Sequence, residues 1–232
     1  MLNDDNLESS LYNPNPARHL IAAHTDLEYP YLTSFGEAHL QIDSGVFCPT
    51  LTNTSKLLLE AVEFLPGERV LDVFAGSGAL GINASLHGAS CVVMVDIDSS
   101  AVRCATTNVR LNGLETSAKV RQGTLTSCLS PSEKFDLIIA NPPLLPGDQV
   151  GPLSVAIFDP GLRSTVDFLR SVGDHLASRG RIYLITSSVI ESYGHDVDRL
   201  SRESGLESAV VRKSDHGYET YRVHKIVRSL GG

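Results

Sequence analysis

The sequence predicts an α/β protein with a mostly parallel sheet, helices on both faces and an antiparallel hairpin at its C-terminal end. Three observations carry this. Short apolar runs alternate with helix-patterned stretches between residues 69 and 204. A glycine-rich turn, Gly76-Ser77-Gly78, joins the first of these runs to a helix. Near the C-terminus, β-type segments at 207–213 and 219–227 flank Ser214-Asp215-His216-Gly217-Tyr218 and read as a hairpin closing the sheet's edge. At 232 residues the chain suits one well-buried domain with an extension and is too short for two full-sized domains.

Residues 1–44 are rich in Asn, Pro and His, with a breaker cluster at Asn13-Pro14-Asn15-Pro16, and read as an irregular N-terminal extension on the substrate side or packed on the domain at 45–232. A helix is expected over 54–64, where Leu57, Leu58, Ala61 and Phe64 fall at helical spacing and Pro66-Gly67 ends the run. A strand at 69–74, a helix at 78–87, a strand at 90–96 and a helix at 99–112 follow. Strands are then expected at 118–122, 135–140 and 181–187, with a helix over 163–177 before the last and another near 190–204 before the hairpin.

Composition narrows the function classes. With 27 acidic against 19 basic residues, the net charge is −8 and the pI about 5.4, so no global field draws the chain to a polyanion. Cys48, Cys91, Cys104 and Cys128 are scattered and read as reduced thiols, and the eight histidines form no metal-ligand spacing. No apolar stretch approaches the ~20 residues that span a bilayer, and the polar, acidic residues 1–10 are unlike a signal peptide, so a cytoplasmic protein is expected.

Chemistry concentrates at two strand ends. Glycine at 76 and 78 permits positive φ and a close ligand approach, and the helix behind offers free N–H groups. Gly76-Ser77-Gly78-Ala79-Leu80-Gly81 fits a dinucleotide as readily as a nucleoside cofactor, and Asp96, twenty residues after Gly76, suits the ribose of either. Asp72, inside the strand end, favours a cofactor carrying an ammonium group, or else ties down the turn through backbone N–H groups. Asn141-Pro142-Pro143-Leu144 stands where the apolar run 135–140 stops. An Asn side-chain oxygen and the Pro142 carbonyl can accept both hydrogens of an NH2 group, and the prolines fix the local backbone and withhold competing donors.

Together, Asp72-x-x-x-Gly76-x-Gly78, then Asp96, then Asn141-Pro142-Pro143 resemble the class I S-adenosylmethionine-dependent methyltransferases. Gly45-Val46-Phe47-Cys48-Pro49 ahead of Leu57-Leu58-Leu59-Glu60-Ala61 is similar to the start of the small-domain type, which includes ribosomal-RNA guanine and release-factor glutamine N-methyltransferases. The resemblance runs from about residue 45 to the C-terminus. It implies a Rossmann-like, seven-stranded sheet with S-adenosylmethionine as cofactor. Asp72 would then serve the amino group, Phe74, Ala75, Gly76, Ser77 and Gly78 the close approach, Asp96 the ribose hydroxyls, and Ile97 the adenine. Thr124 stands where many relatives place an acid. Asn141, Pro142 and Pro143 would hold the acceptor nitrogen, Asn141 also bordering the cofactor, with Pro49 and Leu144 beside it.

Two departures bear on the acceptor. Leu144 replaces an aromatic residue common in relatives, and Ala156-Ile157-Phe158-Asp159-Pro160-Gly161-Leu162 only loosely resembles the glycine-rich stretch of glutamine methyltransferases. A protein glutamine side chain is the first choice, a protein or peptide acceptor being favoured over nucleic acid. An exocyclic amine of an RNA or DNA base and a small-molecule amine are the alternatives. Outside this class stand an NAD-binding oxidoreductase and a non-catalytic binding module. A small activating partner or a homo-oligomer is left open. Tyr29-Pro30-Tyr31 and Phe35 either line a substrate mouth or pack the extension. Arg212, Lys213, Arg222, Lys225 and Arg228 make the terminal hairpin a solvated edge or a docking patch.

Overall fold

The computed structural model describes residues 15–151 and 153–229; residues 1–10 and the Asn13-Pro14 start of the breaker cluster lie outside them. The chain runs α1 (Asn15–Thr25), β1 (Tyr31–Phe35), β2 (Ala38–Ile42), α2 (Asn53–Ala61), β3 (Arg69–Val73), α3 (Ala79–Leu86), β4 (Cys91–Asp96), α4 (Ser99–Leu111), β5 (Ala118–Gln122) and β6 (Phe135–Ala140). It continues with α5 (Ser154–Ile157), α6 (Arg163–Ser171), β7 (Leu176–Ser187), α7 (Val189–Ser192), α8 (Val197–Glu203), β8 (Leu206–Asp215) and β9 (Thr220–Arg228).

Seven strands form one sheet in the order β5-β4-β3-β6-β7-β9-β8, parallel from β5 to β7 and antiparallel across β7, β9 and β8. The chain builds outward from β3 through β4 to β5, then returns to place β6 on the other side of β3. That reversal opens a crevice outside the carboxyl ends of β3 and β6, where ligands of such sheets bind. Side-chain alternation divides the core between two faces. Val70, Met94, Ile139, Tyr183, Ile185 and Val223 pack with Leu58 of α2 and Ile82 of α3 on one face. Leu71, Val95, Ile138, Ala140, Ile182 and Leu184 pack with Phe168 of α6 and Leu200 of α8 on the other.

The structure differs from the sequence-based expectation at three places. Part of the 1–44 stretch is regular, forming α1 and the β1–β2 hairpin, whose turn uses Gly36 at φ +59°. The helix expected over 163–177 ends at Ser171, because Leu176 already pairs with Phe135 at the start of β7. The helix expected at 190–204 splits into α7 and α8 across Gly194 (φ +77°), and Asp196 caps α8 by accepting from the Arg199 N–H.

The β1–β2 hairpin is not an added edge of the main sheet; three asparagine side chains bind its backbone. Asn83 donates to the Phe35 carbonyl and accepts from the Glu37 N–H. Asn112 accepts from the His39 N–H and donates to its carbonyl. Asn108 accepts from the Gln41 N–H at 2.7 Å and donates to the carbonyls of both Gln41 and Ser77, so it joins the hairpin to the glycine turn. Truncating it removes the partner of the Gln41 N–H and of the Ser77 carbonyl, whereas the Gln41 carbonyl keeps the Cys104 thiol; each backbone group left unpaired costs about 1–3 kcal/mol. Asn108→Ala is therefore expected to lower the urea midpoint by a loss of that order, without changing the slope of the transition.

The basic residues of β8 and β9 are largely spent within the fold. Arg212 pairs with Glu60 at 2.9 Å, Arg222 with Glu191 at 2.7 Å and Lys225 with Glu63 at 3.0 Å, while Arg228 donates to the Gly173 and Leu176 carbonyls. Tyr29 and Tyr31 pack against the core and Phe35 is buried within it, so these aromatics anchor α1 and the hairpin. No helix among the described residues is long and apolar enough to cross a membrane.

Candidate active site

The turn after β3 is built from unusual backbone. Phe74 (φ 62°), Gly76 (φ 54°) and Gly78 (φ 82°) all take left-handed conformations, a strained entry for Phe74 that is typical of ligand-binding turns. The glycines do different work. A Cβ on Gly76 would meet nothing within 4 Å, so its open side faces the cavity. A Cβ on Gly78 would meet the Met94 sulfur at 3.0 Å and Ala105 at 3.1 Å, and one on Gly81 would come within 2.6 Å of Met94. Gly78 and Gly81 thus let α3 approach β4 and α4, whereas Gly76 leaves room for a ligand.

Two carboxylates sit beneath this turn. Asp96, at the end of β4, accepts from the Gly76 N–H at 2.8 Å and the Asp98 N–H at 2.9 Å; burial raises its pKa against these two bonds. Asp72 is 1% exposed and accepts from the Gly81 N–H at 2.8 Å through Oδ2. Its Oδ1 has no hydrogen-bond partner among the described residues. Burial, with the Asp96 charge adding to it, pushes the Asp72 carboxyl up to about 7 against the Gly81 bond. A buried, half-satisfied acid of this kind suits an ammonium group, which would complete its bonding and return it to the charged form. The set of an orphaned Oδ1, an acid at the second strand end and an open Gly76 therefore fits a nucleoside cofactor carrying an α-ammonium.

On the far side of the crevice, β6 ends at Ala140 and Asn141 follows. The Asn141 Nδ2 donates to the Ser55 hydroxyl at 3.1 Å, and Ser55, in the first turn of α2, is 2% exposed. That bond uses one of the two NH2 hydrogens and orients the amide so that its carbonyl oxygen is left for a ligand. Downstream, the Leu145 N–H bonds to the Ile157 carbonyl and the Asp159 N–H to the Leu145 carbonyl, pinning the segment to α5. Opposite, His24 of α1 bonds the Leu20 carbonyl through Nδ1 and accepts the Cys48 N–H through Nε2, which holds the loop before Pro49. Burial lowers the His24 pKa, keeping it in the neutral form that this bonding requires.

These elements enclose one cavity of about 800 Å³. The sequence-derived candidates Pro49, Phe74, Ala75, Gly76, Ser77, Asp96, Ile97, Thr124, Asn141, Pro142, Pro143 and Leu144 all line it. Ile97 is 54% exposed there, an apolar side chain open to a flat ligand. Asp72 and Gly78 lie behind the wall. Sequence reasoning missed Ser55, which only the packing of α2 brings to Asn141, and His216, Tyr218 and Tyr221, which arrive from the β8–β9 hairpin. Among the described residues no group of three or more His, Cys, Asp or Glu side chains is placed to hold a metal ion.

Comparison with known proteins identifies the family. The profile of a family described as "Methyltransferase small domain" matches residues 37–193. A ribosomal protein L11 methyltransferase of Caldicellulosiruptor bescii is 33% identical over 177 residues, spanning 75% of this chain and 50% of that protein. One from Geobacter sulfurreducens is 34% identical over 203 residues, spanning 84% of this chain and 60% of its own length. The chain thus spans about half the length of the curated relatives it matches. Among solved structures, a 16S rRNA N2-guanine methyltransferase of T. thermophilus, in complex with AdoMet and guanosine, superposes with a TM-score of 0.64 at 22% identity over 85% of this chain and 49% of that one. An M. jannaschii tRNA m1G37 methyltransferase superposes with a TM-score of 0.58 at 18% identity over 87% of this chain and 55% of that one. The acceptors named across these proteins are a ribosomal protein, rRNA and tRNA. This overturns the expected preference for a protein or peptide acceptor over nucleic acid. Net charge sums the whole surface, whereas an acceptor group meets only the cavity and its rim.

Proposed function

The chain belongs to the small-domain family of S-adenosylmethionine-dependent methyltransferases, and from that premise we propose that its cavity directs the methyl group to the nitrogen of a planar NH2, held by Asn141. The observation that carries this reading is the Asn141–Ser55 hydrogen bond, which turns the amide so that its oxygen, an acceptor without charge, is the end offered to a substrate. When bound, S-adenosylmethionine supplies an electrophilic methyl on a sulfonium centre.

This chain's residues do the rest by position. Asp72 Oδ1 would take the ammonium, Asp96 would exchange its backbone bonds for ribose hydroxyls, and Ile97 and Thr124 would border the base. Asn141 Oδ1 and the Pro142 carbonyl would accept the two NH2 hydrogens, leaving the nitrogen lone pair free to face the donor. An amide or aromatic amine is a weak nucleophile, so orientation and exclusion of water provide most of the help it needs. Asn adds no negative charge that would compensate the donor's positive charge, and no charged base is required at the first step. Pro143 and the bridge at Leu145 keep the segment rigid beneath the acceptor.

The decisive experiment incubates the full chain with radiolabelled S-adenosylmethionine and cell extract, separates protein, nucleic acid and small molecules, and hydrolyses the labelled fraction. Label on an amide or exocyclic nitrogen is the expected result; label on carbon or oxygen, or none in any fraction, overturns the reading. Asp96→Ala should weaken S-adenosylhomocysteine binding by roughly tenfold to a hundredfold, the scale of losing one or two hydrogen bonds to a charged acceptor, as titration calorimetry would show. A variant that binds normally but transfers poorly would instead remove Asp96 from the cofactor's side.

A further inference from the structure

A planar NH2 group held by its hydrogens also needs a flat surface, and Asn141-Pro142-Pro143-Leu144 offers none of aromatic character. The sheet brings one from two strands away. β6 pairs with β7 at Ala140↔Leu184, and β7 with β9 at Ser187↔Tyr221. Tyr221 thus stands two strands across from β6, opposite the β7 residue three positions beyond Leu184, and both it and Pro143 line the same cavity. The face is also right. Tyr221 packs against the cluster that contains Ile139, Ile185, Val223 and Leu58 of α2, and the Asn141 amide meets Ser55 of that same helix, so Tyr221, Asn141 and Ser55 lie on the α2 side of the sheet.

The ring is braced. The Tyr221 hydroxyl donates to Glu219 at 2.8 Å, Glu219 is 5% exposed, and its other oxygen accepts from the Ser187 hydroxyl. Next to it, the Thr220 N–H donates to the Ser188 hydroxyl at 3.0 Å. The His216 ring stands edge-on to Tyr221 at 5.3 Å and 66°, and both line the cavity. A tyrosine whose hydroxyl is tied back into a buried network presents chiefly its ring face, at little further cost in side-chain entropy.

We propose that Tyr221, braced by Glu219 and edged by His216, is the platform on which the acceptor's planar NH2-bearing group lies while Asn141 holds its hydrogens. It is a specificity-determining residue of the methyl-transfer site proposed above, and it rests on that reading. The platform recognises the flat π-face shared by a nucleobase and a side-chain amide, and selects against a tetrahedral amine.

The test loads the full chain with S-adenosylhomocysteine and titrates two probes followed by NMR: guanosine for a ring amine and N-acetylglutamine methylamide for a side-chain amide. At least one should bind, and the one that does identifies the source of the planar group. Tyr221→Leu should weaken that probe about tenfold, the scale of one stacking contact, with S-adenosylhomocysteine affinity unchanged. Tyr221→Phe should retain most of the binding. Adding Leu144→Tyr to Tyr221→Leu should restore it from another lining position of the same cavity, which a purely structural role for Tyr221 would not allow. If S-adenosylhomocysteine binds but neither probe does, or if Tyr221→Leu binds its probe as the wild type does, the platform is refuted and the cofactor site stands. If S-adenosylhomocysteine itself does not bind, the methyl-transfer reading fails and the platform falls with it.

Discussion

Asn141→Ala is expected to lower the rate of methyl transfer by roughly a hundredfold to a thousandfold, the scale of losing one preorganised hydrogen-bonding group at a reacting centre. S-adenosylhomocysteine should bind almost as before, because the bonds expected to hold the cofactor come from Asp72, Asp96 and the turn between them. The loss should fall on kcat rather than on acceptor KM, since the Asn141 oxygen orients the nitrogen more than it anchors the substrate. Ser55→Ala should reproduce a smaller part of the same loss: the Asn141 amide then has no acceptor for its Nδ2 and no reason to keep its oxygen toward the cavity. Ser55→Thr, which keeps the hydroxyl, should recover most of the activity. Steady-state kinetics with calorimetry on the same samples would separate these outcomes. Equal losses of rate and cofactor affinity in Asn141→Ala would mean that the residue serves the cofactor. An unchanged rate would leave the cavity as a binding module.

Where the sequence was informative, the cause was local. The glycine turn, Asp72, Asp96 and the Asn141 segment each sit at a strand end, and the strand pattern of β3, β4 and β6 is set by neighbouring residues. The order of strands then follows from their connections, which bring β3 and β6 side by side. What stayed hidden depends on partners far along the chain. The β1–β2 hairpin has a legible alternation at Ala38, Leu40 and Ile42, yet its backbone is satisfied by Asn83, Asn108 and Asn112, whose role no local pattern announces. Gly76 and Gly78 look alike in sequence and both take positive φ, and only the packing of Met94 and Ala105 against Gly78 separates them. Ser55 and Tyr221 reach the site through the packing of α2 and the register of β9. In sequence the basic hairpin was open to both a solvated edge and a docking patch, because Glu60, Glu63 and Glu191, which neutralise much of it, lie on other elements.

Asp72→Asn is expected to exchange cofactor affinity for stability, and the exchange should depend on pH. The folded-state carboxyl titrates at about 7 against an ordinary value of 3.8, because burial penalises its charged form. A pKa raised on folding means that the native state binds more protons than the unfolded chain between these values. The stability this proton confers is complete below about pH 4 and is lost as pH rises through 7. The difference corresponds to roughly 4 kcal/mol between the two limits. Asn cannot ionise, so the variant should lack this component of the pH dependence and should be the more stable protein at pH 8, less the cost of an amide NH2 placed where Oδ1 now has no partner. Cofactor binding should respond in the opposite sense. A cation beside Oδ1 draws the carboxyl back toward its ordinary range, so binding releases a proton near neutrality, and wild-type affinity should rise about tenfold in all between pH 6 and pH 8, most of it below pH 7 where the free carboxyl is still protonated. In Asp72→Asn the affinity should be lower and flat over the same interval. Asp96 and Asp159 are also raised by burial, so the informative quantity is the difference between the two proteins rather than either profile alone. Thermal melts of the free proteins and calorimetry with S-adenosylhomocysteine at pH 6, 7 and 8 measure both sides. If the two proteins show parallel profiles, Asp72 does no more than secure the Gly81 N–H, and the ammonium is held elsewhere.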